Sequence, residues 1–325
     1  MKRFLKLLMV MILVLSLCAC GKERPANDSH NDSIETTTPV QNTEPSSPLL
    51  YQVTDSQGHT IWLFGTIHVG RESFYPLPEY VMDAYYSADA LAVEFDVVAY
   101  QNDMSAMMED LQLMIYTDGT TIKDHISPQV YETSVQILTE NGMYNTLLDY
   151  YCPAMWSQTI DAFTMEKLGI DTNLGIDVHL LNLAHDEGKQ IVDIESADIQ
   201  YGMLASFSDE LQSMLLKNSN LNYALPSIYS VSLNAMMDAW ESGDEATLVE
   251  LALAQPELTA EEASIYAEYT DALITQRNIR MADFAEAALN EGRTLLICVG
   301  AAHVVGEGGI ADLLADRGYT VQICQ

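Results

Sequence analysis

The sequence predicts an α/β fold: a central β-sheet flanked by helices, with a large, mostly helical insertion between N-terminal and C-terminal strands. Three observations predict it. Short apolar runs that read as strands lie near both ends of the folded part and again near residues 91 and 191. Helix-spaced segments fill the chain between them. One phrase, an apolar run, a glycine, two further residues and a histidine, is written twice, as "TIWLFGTIHVG" (60–70) and "TLLICVGAAHVVG" (294–306).

Taken in order, "LLYQV", the turn "DSQG" and "HTIWLFGT" read as a hairpin in which Gly58 supplies a positive φ. "LPEYVMDAYYSADA" has helical spacing between Pro78 and Asp89. "LAVEFD" (91–96) reads as a strand that sends Glu94 and Asp96 to one face and Val93 and Phe95 to the other. From about Gln101 to Asn290 the pattern is mostly helical. Within that stretch, "SPQVYETSVQILTENG" opens on a Ser127-Pro128 cap and closes at Gly142. "NLGIDVHLLNLAHDEG" stops at Gly188 before a strand over 190–194. "YALPSIYSVSLNAMMDAWESG" and "ASIYAEYTDALITQRNIRMADFAEAALNEG" are read as further helices. A strand over 293–299, a glycine-rich turn over 300–309, a helix to Arg317 and the strand "YTVQIC" complete the chain.

Residues 1–19 have a basic start, an apolar run from Leu7 to Leu17 and Ala19, the pattern of a secretion signal. The sequence "LCACG" resembles a lipobox, which implies cleavage before Cys20 and lipid on its sulfur; at Cys18, bulky Leu17 would occupy the position that wants a small residue. Residues 20–48, rich in Ser, Thr, Pro and Asn, read as a flexible tether, in which His30 is given no role; 49–325 read as the folded domain. The expected location is extracytoplasmic, lipid-anchored to the cell membrane. Without the signal, 11 basic side chains face 47 acidic ones, net −36. Such a surface repels nucleic acid and anionic headgroups, so a nucleic-acid partner is excluded and the lipid, not a basic patch, is the expected anchor. Cys152, Cys298 and Cys324 make neither a disulfide framework nor a zinc ribbon. Buried free thiols are expected, with a Cys298–Cys324 pair left open.

Ligand sites of α/β sheets gather beyond the carboxyl ends of their strands, where His68, Glu94 and His303 are all predicted to sit. Two imidazoles and a carboxylate suit a divalent transition metal; the bland alternative is a pair of buried, hydrogen-bonded histidines. Gly65 and Gly300, ahead of the two histidines, allow sharp bends and close backbone approach. His179 and His185 are six apart on a helix and read as structural or solvated. Asp177 and Glu195 read as a cap or an ion pair. Gly306-Glu-Gly308-Gly309-Ile-Ala311 matches a dinucleotide fingerprint on paper, yet only one strand remains after it, so a nucleotide is rejected. Met107, Met108, Met236 and Met237 fall on apolar helix faces and read as core, with a groove for apolar peptides the alternative.

A resemblance adds to this. "LFGTIHVG" (63–70), "AVEFD" (92–96), "LGIDVHLLNLAHDEGKQIVDIES" (174–196), "QRNIRMA" (276–282) and "CVGAAHVVGEGGIADLLADRGYTV" (298–321) resemble, in the same order, the motifs of the TraB/GumN family, which includes the Tiki proteins and the pheromone-shutdown proteins of plasmid-carrying bacteria. The resemblance implies that His68 and His303 are the family's paired GxxH histidines, Glu94 their acidic partner, and Arg277 and Asn278 its Arg-Asn pair. By analogy with Tiki-like members it implies a metalloprotease: metal-dependent hydrolysis of a peptide or protein substrate, with manganese or cobalt as the cation and zinc or iron as alternatives. His68 and His303 would be ligands, Glu94 either the third ligand or the base, and Arg277 the group that steadies the oxyanion. The rival readings are a non-catalytic lipoprotein that binds or sequesters a peptide signal or a haem-like ligand, and a ferrous oxygenase.

Overall fold

A computed structural model describes residues 46–253 and 259–324. The expected signal, Cys20 and the tether up to residue 45 lie outside the described residues. Six strands, β1 (Leu50–Thr54), β2 (Thr60–Thr66), β3 (Ala90–Val93), β4 (Gln190–Asp193), β5 (Leu295–Gly300) and β6 (Thr320–Cys324), form one sheet in the order β4-β3-β5-β2-β1-β6. β4, β3, β5 and β2 run parallel, whereas β1 is antiparallel to both β2 and β6. The central strands are short continuous apolar runs, "ALAV" and "LLICV", because helices cover both faces and leave no wet side to alternate toward. This is the predicted α/β sheet with its helical insertion, and the predicted hairpin is β1–β2, with Gly58 at φ 91°.

The helices are α1 (Glu79–Ser87), α2 (Val97–Tyr100), α3 (Met104–Leu113), α4 (Ile122–His125), α5 (Pro128–Glu140), α6 (Pro153–Leu168), α7 (Ile176–Glu187), α8 (Ala197–Ala205), α9 (Asp209–Ala224), α10 (Pro226–Ser242), α11 (Glu245–Ala252), α12 (Ala260–Thr270), α13 (Gln276–Asn290), α14 (Ala301–Val304) and α15 (Ile310–Asp316). The predicted caps do their work: Ser127 Oγ accepts from Val130 N at 3.4 Å, and α7 ends on Gly188 at φ 68°. The helical stretch 223–243 divides at Leu225 between α9 and α10. The stretch 263–292 divides at a π-helical turn, Asp271–Thr275, which ends two positions before Arg277.

Several expectations need correction. The strand read over 91–96 ends at Val93; Glu94 lies past it, and Asp96 caps α2 by accepting from Ala99 N at 2.9 Å. The turn read over 300–309 contains α14, so His303 sits on a helical turn. Met107, Met236 and Met237 are buried, but Met108 is 50% exposed and is not core. Cys298 and Cys324 cannot pair, since β2 and β1 separate their strands and neighbouring strands are about 4.8 Å apart; all three described cysteines are free.

Close approach is what Gly65 provides. A Cβ there would lie 2.9 Å from Ala301 Cα and 3.2 Å from Ala301 Cβ, so α14 could not sit down on β2. Gly65→Ala is expected to cost about 1–3 kcal/mol in urea unfolding through this overpacking. On α6, half-buried Asp161 accepts from Ser219 Oγ at 3.0 Å, while burial, only partly offset by that bond, pushes its carboxyl up to about 7. In the unfolded chain it titrates near 3.8, so the folded state holds the proton between those values and loses stability as pH rises through them. Asp161→Asn is expected to gain roughly 1–3 kcal/mol over the native chain at pH about 8 and nothing at pH about 4.

Candidate functional site

Because β3, β5 and β2 are parallel neighbours, the residues that follow them emerge at one edge of the sheet. His68 lies two residues past β2, Glu94 directly past β3, and His303 one turn past β5 on α14. They converge on Gly300. A Cβ built on that glycine would meet Glu94 Oε1 at 3.5 Å, His303 Cδ2 at 3.6 Å and His68 Nε2 at 4.0 Å. The glycine leaves this volume open as a cradle, and its N–H donates to Glu94 Oε1 at 3.0 Å.

Each imidazole is oriented through Nδ1. His68 Nδ1 is 3.1 Å from Asp177 Oδ2, at the start of α7, and His303 Nδ1 is 2.7 Å from Asn278 Oδ1, on α13. Asn278 is itself fixed, since Nδ2 donates to Gly308 O at 2.8 Å. Acceptors on both Nδ1 atoms place an N–H there, and His68 Nε2 faces the cradle; an engaged Nδ1 is the arrangement that metal-binding histidines use. The electrostatics of the two rings then diverge. Burial lowers the pKa of His68, but the charge and hydrogen bond of Asp177, with Glu94 beyond, outweigh it and lift the ring above its ordinary value. Burial also lowers His303, and the nearby Arg277 cation drives it further, to about 3. His303 is a neutral donor at any physiological pH.

Behind them is a buried charge network. Arg277 sits between two carboxylates: Nη2 donates to Glu94 Oε2 and to Glu195 Oε2, and Nε donates to Glu195 Oε2 at 2.9 Å. Gln200 Nε2 donates to Glu94 Oε2 at 3.1 Å and to Glu195 Oε2 at 3.3 Å, knitting the acids together. Burial alone would raise the Glu94 carboxyl; Arg277, both histidines and the Gly300 N–H hold it well below the usual carboxylate range.

The predicted site residues that are described, His68, Glu94, Arg277, Asn278, Gly300 and His303, are thus gathered in one place, with Gly65 supporting α14 beneath them. Glu195 forms the ion pair that was one of its two readings, with Arg277, whereas Asp177 does not cap α7 and instead faces His68; both partners are site residues, which the sequence reading did not anticipate. Gln200 gave no sequence signal at all. His179 packs against Tyr75, with ring centroids 4.4 Å apart, and His185 Nε2 pairs with Asp96 Oδ2 at 2.8 Å; both are structural.

The cluster forms the floor of a cavity of about 1010 Å³, the space at its mouth included. Its walls are apolar and rich in methionine: Met165, Met203, Met236, Met237, Leu233 and Leu273. Does the donor set fit a cation? Among the described residues no group of three or more His, Cys, Asp or Glu side chains stands already assembled at metal-binding spacing. The residue types and the cradle nevertheless suit one: Glu94 Oε1, His68 Nε2 and the Cδ2 edge of the His303 ring border a volume that any side chain at position 300 would fill.

The family model for TraB/PrgY/gumN matches residues 49–323. The chain belongs to this family. Two relatives, each described as uncharacterized protein YbaP, one from Escherichia coli (strain K12) and one from Shigella flexneri, are 27% identical to it over 261 residues, covering 78% of this chain and 86% of theirs. No solved structure matches it. Within this TraB/PrgY/gumN member, His68 and His303, each the last residue of a GxxH run, both border the Gly300 cradle although 235 positions separate them.

Proposed function

We propose that this protein is an extracytoplasmic hydrolase that acts on peptides with a divalent cation, and that lipid on Cys20 holds it at the membrane. One arrangement carries the reading: two imidazoles, each with Nδ1 engaged, border the same cradle as Glu94, His68 through Nε2 and His303 through its Cδ2 edge, in an apolar cavity. His68, Glu94 and His303 would hold the ion, manganese or cobalt before zinc or iron, and the bound ion supplies Lewis acidity and lowers the pKa of water.

The chain's own groups do the rest. Asp177 and Asn278 hold an N–H on each Nδ1, so that Nε2 is the acceptor atom of either ring in its neutral form. Glu94, ionised throughout the neutral range, serves as an anionic ligand or steers the attacking water. Arg277 spends Nε and Nη2 on the two carboxylates and offers Nη1 to the oxyanion that develops on a peptide carbonyl. The methionine-rich walls bury apolar peptide side chains and exclude bulk water, and flexible thioethers adapt to several shapes.

The test is metal stoichiometry followed by cleavage. The full chain, purified without chelator and loaded with manganese or cobalt, is expected to bind about one ion per chain and to cleave peptides with apolar segments. His68→Ala and His303→Ala are each expected to abolish both while leaving the far-UV spectrum intact. A native chain that stays empty across manganese, cobalt, zinc and iron would overturn the proposal in favour of a binding protein.

A further inference from the structure

The hairpin between α9 and α10 differs from the rest of the surface. Leu221 is 46% exposed, Leu225 50%, Ile228 54% and Val231 68%. Their backbone is satisfied locally, since Leu225 N donates to Leu221 O at 2.8 Å and Ile228 N to Leu225 O at 3.0 Å, so the turn is well formed with its apolar side chains outside. Ile228 and Val231, three apart, share the outer face of α10, while Leu233, Met236 and Met237 on the same helix line the cavity.

Charge is absent where the apolar groups emerge. The chain has 47 acidic residues in 325, yet none between Leu211 and Met237. Two lysines flank the patch, with Glu166 next to one in the chain and Glu262 near the other. Lys217 lies one helical turn before Leu221, and Lys167 Nζ donates to Tyr223 O at 3.1 Å and stands 4.3 Å over its ring. Glu262, whose pKa is lowered in part by Lys217, marks the rim where the acidic surface resumes.

We infer that this hairpin rests on a phospholipid surface, with Leu221, Leu225, Ile228 and Val231 at the headgroup–acyl boundary and Lys167 and Lys217 at the level of the phosphates. An apolar helical surface with lysines beside it has the chemistry of an interfacial contact. A second copy is the poorer occupant, because it would set two chains of net charge −33 against each other. The acidic remainder of the molecule turns away from the headgroups, and α10, whose inner face lines the cavity, becomes the bilayer-facing wall.

An environment-sensitive probe on the full chain tests this. Ile228→Cys and, as a control on α1, Tyr86→Cys (Tyr86 is 60% exposed) are labelled with a nitrobenzoxadiazole fluorophore, and the labelled native chain supplies the background. With phosphatidylcholine vesicles, the probe at 228 is expected to shift to the blue and to be quenched by brominated lipid, while the probe at 86 is unchanged. Replacing Leu225 and Val231 together by Ser in the chain labelled at 228 is expected to remove most of the blue shift and of the bromolipid quenching with an unaltered far-UV spectrum. A chain that fails to bind, or that binds through its N-terminal segment while the probe at 228 stays unshifted, overturns the inference. So does a blue shift without lipid that grows with protein concentration, which would assign the patch to a second copy.

Discussion

Arg277→Met is expected to destabilise the protein by about 3–5 kcal/mol, because it takes the bonded cation from Glu94 and leaves buried Glu195 only the longer contact to Arg280 Nη2 at 3.4 Å. Arg277 is 6% exposed and Glu195 7%, and the guanidinium is the cation both Glu195 and Glu94 bond to directly. Deleting one partner of a buried pair leaves the desolvation cost of the others in full, which is why the loss exceeds that of any surface pair. The pH dependence supplies an independent sign. In the native chain Glu94 is held below its unfolded value of 4.5, so its contribution is present above that value and is lost as the pH falls through the lowered folded one. Without Arg277, burial dominates at Glu94, its carboxyl holds a proton more tightly, and the variant should recover relative to the native protein as the pH is lowered from about 8 to about 5. Adding Glu195→Gln should restore part of the loss. Urea unfolding of the three chains at both pH values checks this; a cost under about 1 kcal/mol, unchanged by pH, would mean that the network is wet.

The second large effect is expected on activity. Gly300 has φ −51°, open to any residue, and a Cβ there makes contacts of 3.5, 3.6 and 4.0 Å with Glu94, His303 and His68, so Gly300→Ala fits sterically. The N–H bond to Glu94 is kept. What is lost is the cradle. Under the proposed function, cation binding and peptide cleavage should fall by about a hundredfold or more, through the misplacement of reacting groups, while the melting temperature moves by only a few degrees. If cleavage persists at near-native rate in Gly300→Ala, the reacting groups are elsewhere in the cavity. Gly65→Ala separates the two roles of these glycines, since it strikes packing first and should lower stability before it touches binding.

How much of the site was legible depended on whether a residue's partner could be named locally. His68, Glu94 and His303 each end a recognisable apolar run, so the rule that ligands gather beyond parallel strand ends placed them together before any coordinates. Arg277 and Asn278 were marked by family resemblance alone; nothing in "QRNIRMA" announces a buried cation. Asp177, Glu195 and Gln200 carry chemistry only through what they face, and an acid in a first helical turn or past a strand end has a bland use almost everywhere. The π turn before Arg277 was illegible for a related reason. Its residues are ordinary helix formers, and the wider hydrogen-bonding pattern answers to packing rather than to propensity.

Patterns of period two and 3.6, with glycine and proline punctuation, were enough to specify the α/β class, the N-terminal hairpin, the cap of α5, the stop of α7 and the strand-end positions of the two histidines, because each depends on interactions within a few residues. The order β4-β3-β5-β2-β1-β6, the break of the β3 run before Glu94 and the helical turn under His303 answer to longer-range forces. So do the pairings Asp177–His68, Asn278–His303 and Glu94–Arg277–Glu195, whose partners lie 109, 25, 183 and 82 positions apart. Burying a charge or orienting an imaidazole ring requires groups that meet only when the sheet closes, and no local rule of the chain encodes which distant atom will be there.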